Sequence, residues 1–204
     1  MLTKISELRR AKSVSLRFWR DFRKESHPLN LYMQQKSYAG SPLFKIYVDS
    51  CETALRELAM RGVGVDELFL EDAERVNDLS PHQIEAIRNI AERNVADQAL
   101  RLEHNVGFLA NAVSMSPFLG LLGTVWGVME AFTSMASSGS ANLSAVAPGI
   151  SAALLTTVVG LLVALPSAFG YNIITNHIRT LTVQMDNFAQ ELAASVQHKM
   201  MNHD

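Results

Sequence analysis

The chain has 204 residues, with 18 Lys or Arg against 20 Asp or Glu, and its formal net charge of −2 argues against a nucleic-acid or polyanionic partner. Its mean hydropathy of +0.09 averages three unlike parts. Residues 1–103 hold 16 of the basic and 16 of the acidic side chains, residues 104–178 hold one charge, Glu130, and residues 179–204 hold five. That distribution excludes a single water-soluble core of ordinary composition.

The front section, residues 1–80, reads as helical and cytoplasmic. "LRRAKSVSLRFWRDFRKE" (8–25) predicts a basic amphipathic helix with Leu16, Trp19 and Phe22 on one side. "SHPLN" and "YAGSP" punctuate the chain after it. "SPLFKIYVDSCETALRELAMRG" (41–62) predicts a second helix, with Pro42 at its start and Gly62 past its end. The acidic stretch "DELFLEDAERVNDLS" (66–80) reads as a solvated connector. Cys51 is the lone cysteine, so it has no internal disulfide partner. Asp49 and Glu52 beside it do nothing to stabilise a thiolate, and a small buried residue is expected.

Ser80 and Pro81 form a helix start signal. The helix they open is expected to run over 81–136, about 84 Å at 1.5 Å per residue. Its first part, 81–105, is cytoplasmic, and 106–136 forms a transmembrane span. The loop "SSGSANLS" (137–144) is polar and uncharged, and 145–171 forms a second span. Each span exceeds the roughly 20 residues that cross the hydrocarbon core. With 16 Lys/Arg ahead of the spans, none in the loop, and Arg179 and Lys199 behind, the charge bias places both ends in the cytoplasm and the loop on the far side of the membrane. Residues 172–204 extend the second helix into the cytoplasm. Ile174, Ile178, Leu181, Met185, Phe188 and Leu192 fall at spacings of 4, 3, 4, 3 and 4, an apolar seam that needs a partner. The extension of the first long helix and another copy of the chain are both open as that partner.

Inside the spans, small residues line up. Gly120, Gly123, Thr124, Gly127 and Ala131 form one stripe with Ser116 above it. Gly149, Ala153, Thr156, Thr157, Gly160, Ala164 and Ser167 or Ala168 form another. Lipid gives helices no hydrophobic reason to associate, so close packing through small residues is how such spans pair. The threonines either bond to the preceding turn or line a pore. Pro148 lies early in its helix, whereas Pro166 lies inside the span and is expected to kink it. His27, His82, His104, His177, His198 and His203 are scattered. No HExxH, GxSxG, P-loop or dinucleotide fingerprint is present, so no enzyme, cofactor or metal centre is predicted.

"SPFLGLLGTVWGVM" (116–129) and "VAPGISAALLTTVVGLLVALPSAFGYN" (146–172), in this order and spacing, resemble the MotA/TolQ/ExbB proton-channel family, and the TolQ and ExbB branch above the flagellar stator branch. The resemblance implies an all-α inner-membrane protein, two long antiparallel helices forming a transmembrane hairpin with cytoplasmic extensions. It implies a homopentamer around the single spans of a small ExbD- or TolR-type partner. Proton flow would then drive a TonB- or TolA-type protein that reaches into the periplasm. The family's polar pore threonines fall on Thr124 and Thr157, and its mid-helix proline on Pro166. The family also carries a span ahead of its cytoplasmic section. This sequence opens at the segment that would follow it, as expected from a start placed too far downstream or a trimmed chain, with a two-span variant as the alternative.

A second departure concerns charge. Where the pattern reads Gly-Ile-Ala-Glu-Ala-Leu, this chain has "GISAAL", with Ala152 at the acidic position. Glu130 and Ala152 lie eleven residues either side of Ala141, the loop centre, and so at similar depth. Thr124 and Thr157, at seventeen and sixteen, are deeper. A carboxylate within a span costs about 3 kcal/mol if unpaired, so one that persists faces protein or water. Two readings stand: Glu130 marks a hydrated outer rim, or it supplies the protonatable group absent at Ala152. The functional expectation is the channel-forming subunit of a proton-driven motor, with Thr124, Thr157 and Glu130 on the proton path. The alternative is a non-conducting scaffold of the same architecture.

Overall fold

A computed structural model describes residues 2–59, 79–138 and 143–200, and every regular element among them is an α-helix. The helices are α1 (Leu2–Phe22), α2 (Asn30–Met33), α3 (Pro42–Ala59), α4 (Pro81–Glu103), α5 (Val106–Ser138) and α6 (Leu143–Met200). Gly62, most of the acidic connector, loop residues 139–142 and His203 lie outside the described residues, as do the expectations attached to them. The chain divides into two compact units, Met1–Leu102 with Asn176–Asp204, and Glu103–Thr175. The protein is an all-α membrane protein, as the sequence predicts.

The first unit is built on aromatic packing. The buried face of α1 is Leu8, Ala11, Ser15, Phe18 and Phe22, at helical spacings of 3, 4, 3 and 4. Leu16 is 40% exposed and Trp19 only half-buried, so the expected Leu16, Trp19 and Phe22 cluster is corrected. Leu16 points about 100° away from Ser15, and the bulky residue that is buried instead is Phe18. Phe18 meets Tyr38, Phe44, Tyr47 and Phe188 at ring-centroid distances of 5.2, 5.4, 5.4 and 5.3 Å. Phe188 also meets Phe22 at 5.3 Å and Trp19 at 6.4 Å. The seam of α6 is buried from Ile174 to Leu192, and α1 is a partner for it that neither sequence alternative named.

Several polar groups in this unit are satisfied locally, although the buried Ser50 Oγ and Gln184 Oε1 have no partner among the described residues. The Ser15 and Ser41 hydroxyls meet at 3.0 Å, and Ser41 Oγ accepts the Phe44 N–H at 3.1 Å, capping α3. The Ser80 N–H donates to Gln83 Oε1 at 3.1 Å, and the Gln83 N–H donates back to Ser80 Oγ at 3.4 Å. This reciprocal box starts α4. Cys51 is buried, and burial pushes its thiol well above the ordinary range, so it is inert.

Glu191 ties α6 to α1. Arg23 donates to it through Nε and Nη2, both at 2.7 Å, and Trp19 Nε1 donates at 2.8 Å. The Arg23 hydrogen bonds hold the Glu191 carboxyl below its ordinary 4.5, against the opposing effect of burial and with help from Trp19. Burial, and secondarily Lys199, lowers His27 from its ordinary 6.5. Both groups have folded values below their unfolded ones. Their stabilisation is therefore complete above the unfolded values and is lost as pH falls through the folded ones. Thermal unfolding followed by circular dichroism should weaken first below 6.5 and again below 4.5, and Glu191→Gln should flatten the second decline.

One expectation about the spans is corrected. α4 stops at Glu103 and α5 starts at Val106, so the uninterrupted helix over 81–136 is two helices. Asn105 between them has φ +68°, the left-handed conformation that ends helices and that a short polar side chain tolerates. α5 and α6 are each long and apolar enough to cross a membrane. Only 11% and 17% of their most apolar stretches are buried, whereas the core helix of a water-soluble protein is mostly buried. Phe108, Phe118, Trp126, Leu162 and Phe169 are all more than half exposed, an apolar surface far beyond what water-soluble monomers present.

Candidate functional site

The second unit pairs α5 with residues 143–175 of α6 through their small residues. A Cβ on Gly120 would lie 3.0 Å from the Thr156 carbonyl oxygen and 3.0 Å from Thr157 Cα. One on Gly127 would lie 2.7 Å from Ala153 Cβ, and one on Gly149 would lie 3.1 Å from Ala131 Cβ. Rising numbers on α5 meet falling numbers on α6, so the pair is antiparallel. The tightest approach to backbone is at Gly160, where a Cβ would stand 2.6 Å from the Ser116 carbonyl oxygen and 3.2 Å from Gly120 Cα. Ala131, Ala153 and Ala164 are buried along this line. α6 continues as a helix through both Pro148 and Pro166, and Ser167 Oγ donates to the Val163 carbonyl at 2.8 Å.

Backbone approach this close brings three hydroxyls together. Thr124 Oγ1 hydrogen-bonds to Thr157 Oγ1 across the helix pair. It also lies 3.1 Å from the Gly120 carbonyl on its own helix and 3.1 Å from the Ala153 carbonyl on the other. Thr156 Oγ1 reaches the Ala153 carbonyl at 2.7 Å and the Gly120 carbonyl at 3.0 Å, and Thr157 Oγ1 reaches the Gly120 carbonyl at 3.2 Å. The threonines thus bond both to a preceding turn and across the pair. Gly123 makes room for Thr156, since a Cβ there would lie 2.6 Å from Thr156 Oγ1. Sequence reasoning placed Thr156 in the stripe but not among the functional hydroxyls. The i, i+3 step from Ala153 was the available signal.

Glu130 and Ala152 line one groove of about 740 Å³, together with Gly123, Gly127, Trp126 and Thr156. Glu130 is exposed to the groove and forms no hydrogen bond or ion pair among the described residues. Its carboxylate therefore opens into the same space as the side chain at the position where it was expected and is missing. Ser134, one turn after Glu130, lines the groove as well and went unremarked in the sequence. His104 is exposed and His177 half-exposed, and among the described residues no three His, Cys, Asp or Glu gather as a metal set.

Comparison with known proteins matches residues 62–187, more than half of the chain, to the MotA/TolQ/ExbB proton channel family. The chain is similar to the Tol-Pal system protein TolQ of Haemophilus influenzae, 34% identical over 138 residues that cover 63% of this chain and 59% of that protein. It is similar to TolQ of Pseudomonas aeruginosa, 39% identical over 104 residues, covering 51% of this chain and 45% of that one. It is also similar to the biopolymer transport protein ExbB of Salmonella typhimurium, 40% identical over 101 residues, covering 50% and 41%. The chain spans about half the length of these curated relatives. The matched stretch contains α5, the threonine cluster and the Glu130 groove, and on that ground the chain belongs to the MotA/TolQ/ExbB proton channel family, in its TolQ and ExbB branch.

Proposed function

We propose that this chain is the channel-forming subunit of an inner-membrane motor driven by the proton-motive force, energising a periplasm-spanning partner. The observation that carries the proposal is the cluster of three threonine hydroxyls across the closest part of the helix pair, within the stretch matched to a proton channel family. Relatives named for the Tol-Pal system and for biopolymer transport support a load beyond the inner membrane. In this reading 106–136 and 145–171 are the spans, both ends of the chain are cytoplasmic, and the assembly is a homopentamer. It encloses a one-span ExbD- or TolR-type protein and works on a TonB- or TolA-type protein.

Thr124 and Thr157 are the fixed hydroxyls of the path, and Glu130 is its protonatable group on this subunit. α5 then provides from across the groove the carboxylate that α6 lacks at Ala152. Proteoliposomes holding the chain and its one-span partner should pass protons only when both are present. Glu130→Gln should lower that flux by about a hundredfold or more. Full flux in the Gln variant would leave Glu130 as a hydrated rim residue. The second reading is a non-conducting scaffold, favoured by the alanine at position 152. It predicts an assembled complex whose flux stays at the background of empty vesicles.

A further inference from the structure

A second site lies in the first unit, whereas the threonines and the Glu130 groove belong to the second. Three segments converge there on a pocket of about 830 Å³: the start of α1, the turn into α3, and the end of α4. Each brings a cation, Arg10, Lys45 and Arg101 respectively, and the single acid in the lining is Glu7. The charges are not equally engaged. Glu7 is bridged by Lys4 at 3.4 Å, and Lys45 is held by Asp49 at 2.5 Å. Arg10 and Arg101 are exposed and form no ion pair among the described residues. The pocket therefore carries three cations against one acid, and two of them are guanidinium groups outside any ion pair among the described residues. Guanidinium pairs bidentately with phosphate.

The position of Arg101 in the chain says where the phosphate comes from. Arg101 is five residues ahead of Val106, where α5 begins. Even fully extended, five residues reach no more than about 18 Å. With α5 entering the bilayer near Val106, the chain itself keeps Arg101 within that reach of the headgroup layer, where anionic lipids attract basic groups. We propose that the Arg10, Lys45 and Arg101 pocket binds the phosphate headgroup of an anionic phospholipid of the cytoplasmic leaflet. The proposal rests on the reading above that α5 is a membrane span whose Val106 end faces the cytoplasm, and is independent of proton conduction.

Isothermal titration of the purified full chain in neutral detergent tests it with short-chain phosphatidylglycerol, short-chain phosphatidylcholine and glycerol phosphate. Phosphatidylglycerol should bind, and the Arg10→Gln, Arg101→Gln double variant should bind it about tenfold more weakly or worse. Arg93→Gln, which removes an exposed charge elsewhere on α4, should bind like the parent. Both arginines are exposed, so the double variant keeps its core, and an unchanged helical circular dichroism spectrum checks this. Equal binding of the two lipids, or undiminished binding by the double variant, overturns the proposal. Glycerol phosphate binding as tightly as phosphatidylglycerol also overturns it, since the ligand is then a soluble phosphate ester. No proton flux is read, so failure here and failure of the channel reading are separate results.

Discussion

Gly160→Val is expected to leave the chain in the membrane and to abolish the proton-driven activity proposed for it. The atoms that a Cβ at this position would meet are the Ser116 carbonyl oxygen at 2.6 Å, the Gly120 Cα at 3.2 Å and the Gly120 nitrogen at 3.3 Å. All three are backbone, so no side chain can rotate out of the way and the helices must separate. Overpacking of this kind costs about 1–3 kcal/mol even where side chains can adjust. Within lipid, little besides van der Waals contact and cross-helix hydrogen bonds holds the pair together. Separation also pulls Thr156 and Thr157 away from the Gly120 carbonyl, so packing and the hydroxyl cluster fail together. Gly107→Ala is the control, since a Cβ there meets nothing within 4 Å. Growth that depends on the proposed motor, with membrane levels checked by immunoblot, should vanish for the first variant and persist for the second. Normal growth of Gly160→Val would refute the close helix contact.

The second large effect belongs to the other unit. Phe18→Ala should destabilise it by about 3–5 kcal/mol, the range for removing a fully buried aromatic ring. Phe18 is 0% exposed and touches rings from α1, α3, α6 and the segment between α2 and α3, so its loss opens a void that several elements share. Leu16→Ala, two positions earlier and on the exposed side, should change stability by no more than about 0.5 kcal/mol. Near-ultraviolet circular dichroism, which reports packed aromatics, should show the Phe18 variant melting well below the parent and the Leu16 variant melting with it. Equal melting of the two would restore the sequence expectation that Leu16 belongs to the buried face.

These contrasts show which physical signals the sequence carries. The α6 seam was readable because six apolar residues keep the alternating 4 and 3 spacing without exception. The buried face of α1 was harder, because Phe18 sits between Arg17 and Trp19, and Ser15 takes a place on the buried stripe through a hydroxyl pair. Large residues at steps of three, Leu16, Trp19 and Phe22, drift around the helix and leave the buried stripe at Leu16. The break between α4 and α5 was hidden because its marker is Asn105, not the glycine or proline that usually signals a stop. Within the site, counting outward from the loop set Glu130 level with Ala152, and both line the groove. No count of that kind shows a third hydroxyl joining Thr124 and Thr157. That follows from how close the glycines let two backbones come, a distance not written in residue order.

The threonine cluster has a thermodynamic property that its distances imply. Three hydroxyls bring three protons to two carbonyl oxygens and to one another, and each has more acceptors within reach than it has protons. The Thr124 proton can point to Gly120 on its own helix or to Ala153 on the other, and the Thr124–Thr157 bond can run in either sense. Like the protons of ice, these have more than one hydrogen-bonded ordering over one framework of oxygen atoms. The cluster can therefore reverse its local polarity by rotating hydroxyl hydrogens alone, while the helices that carry it stay in contact.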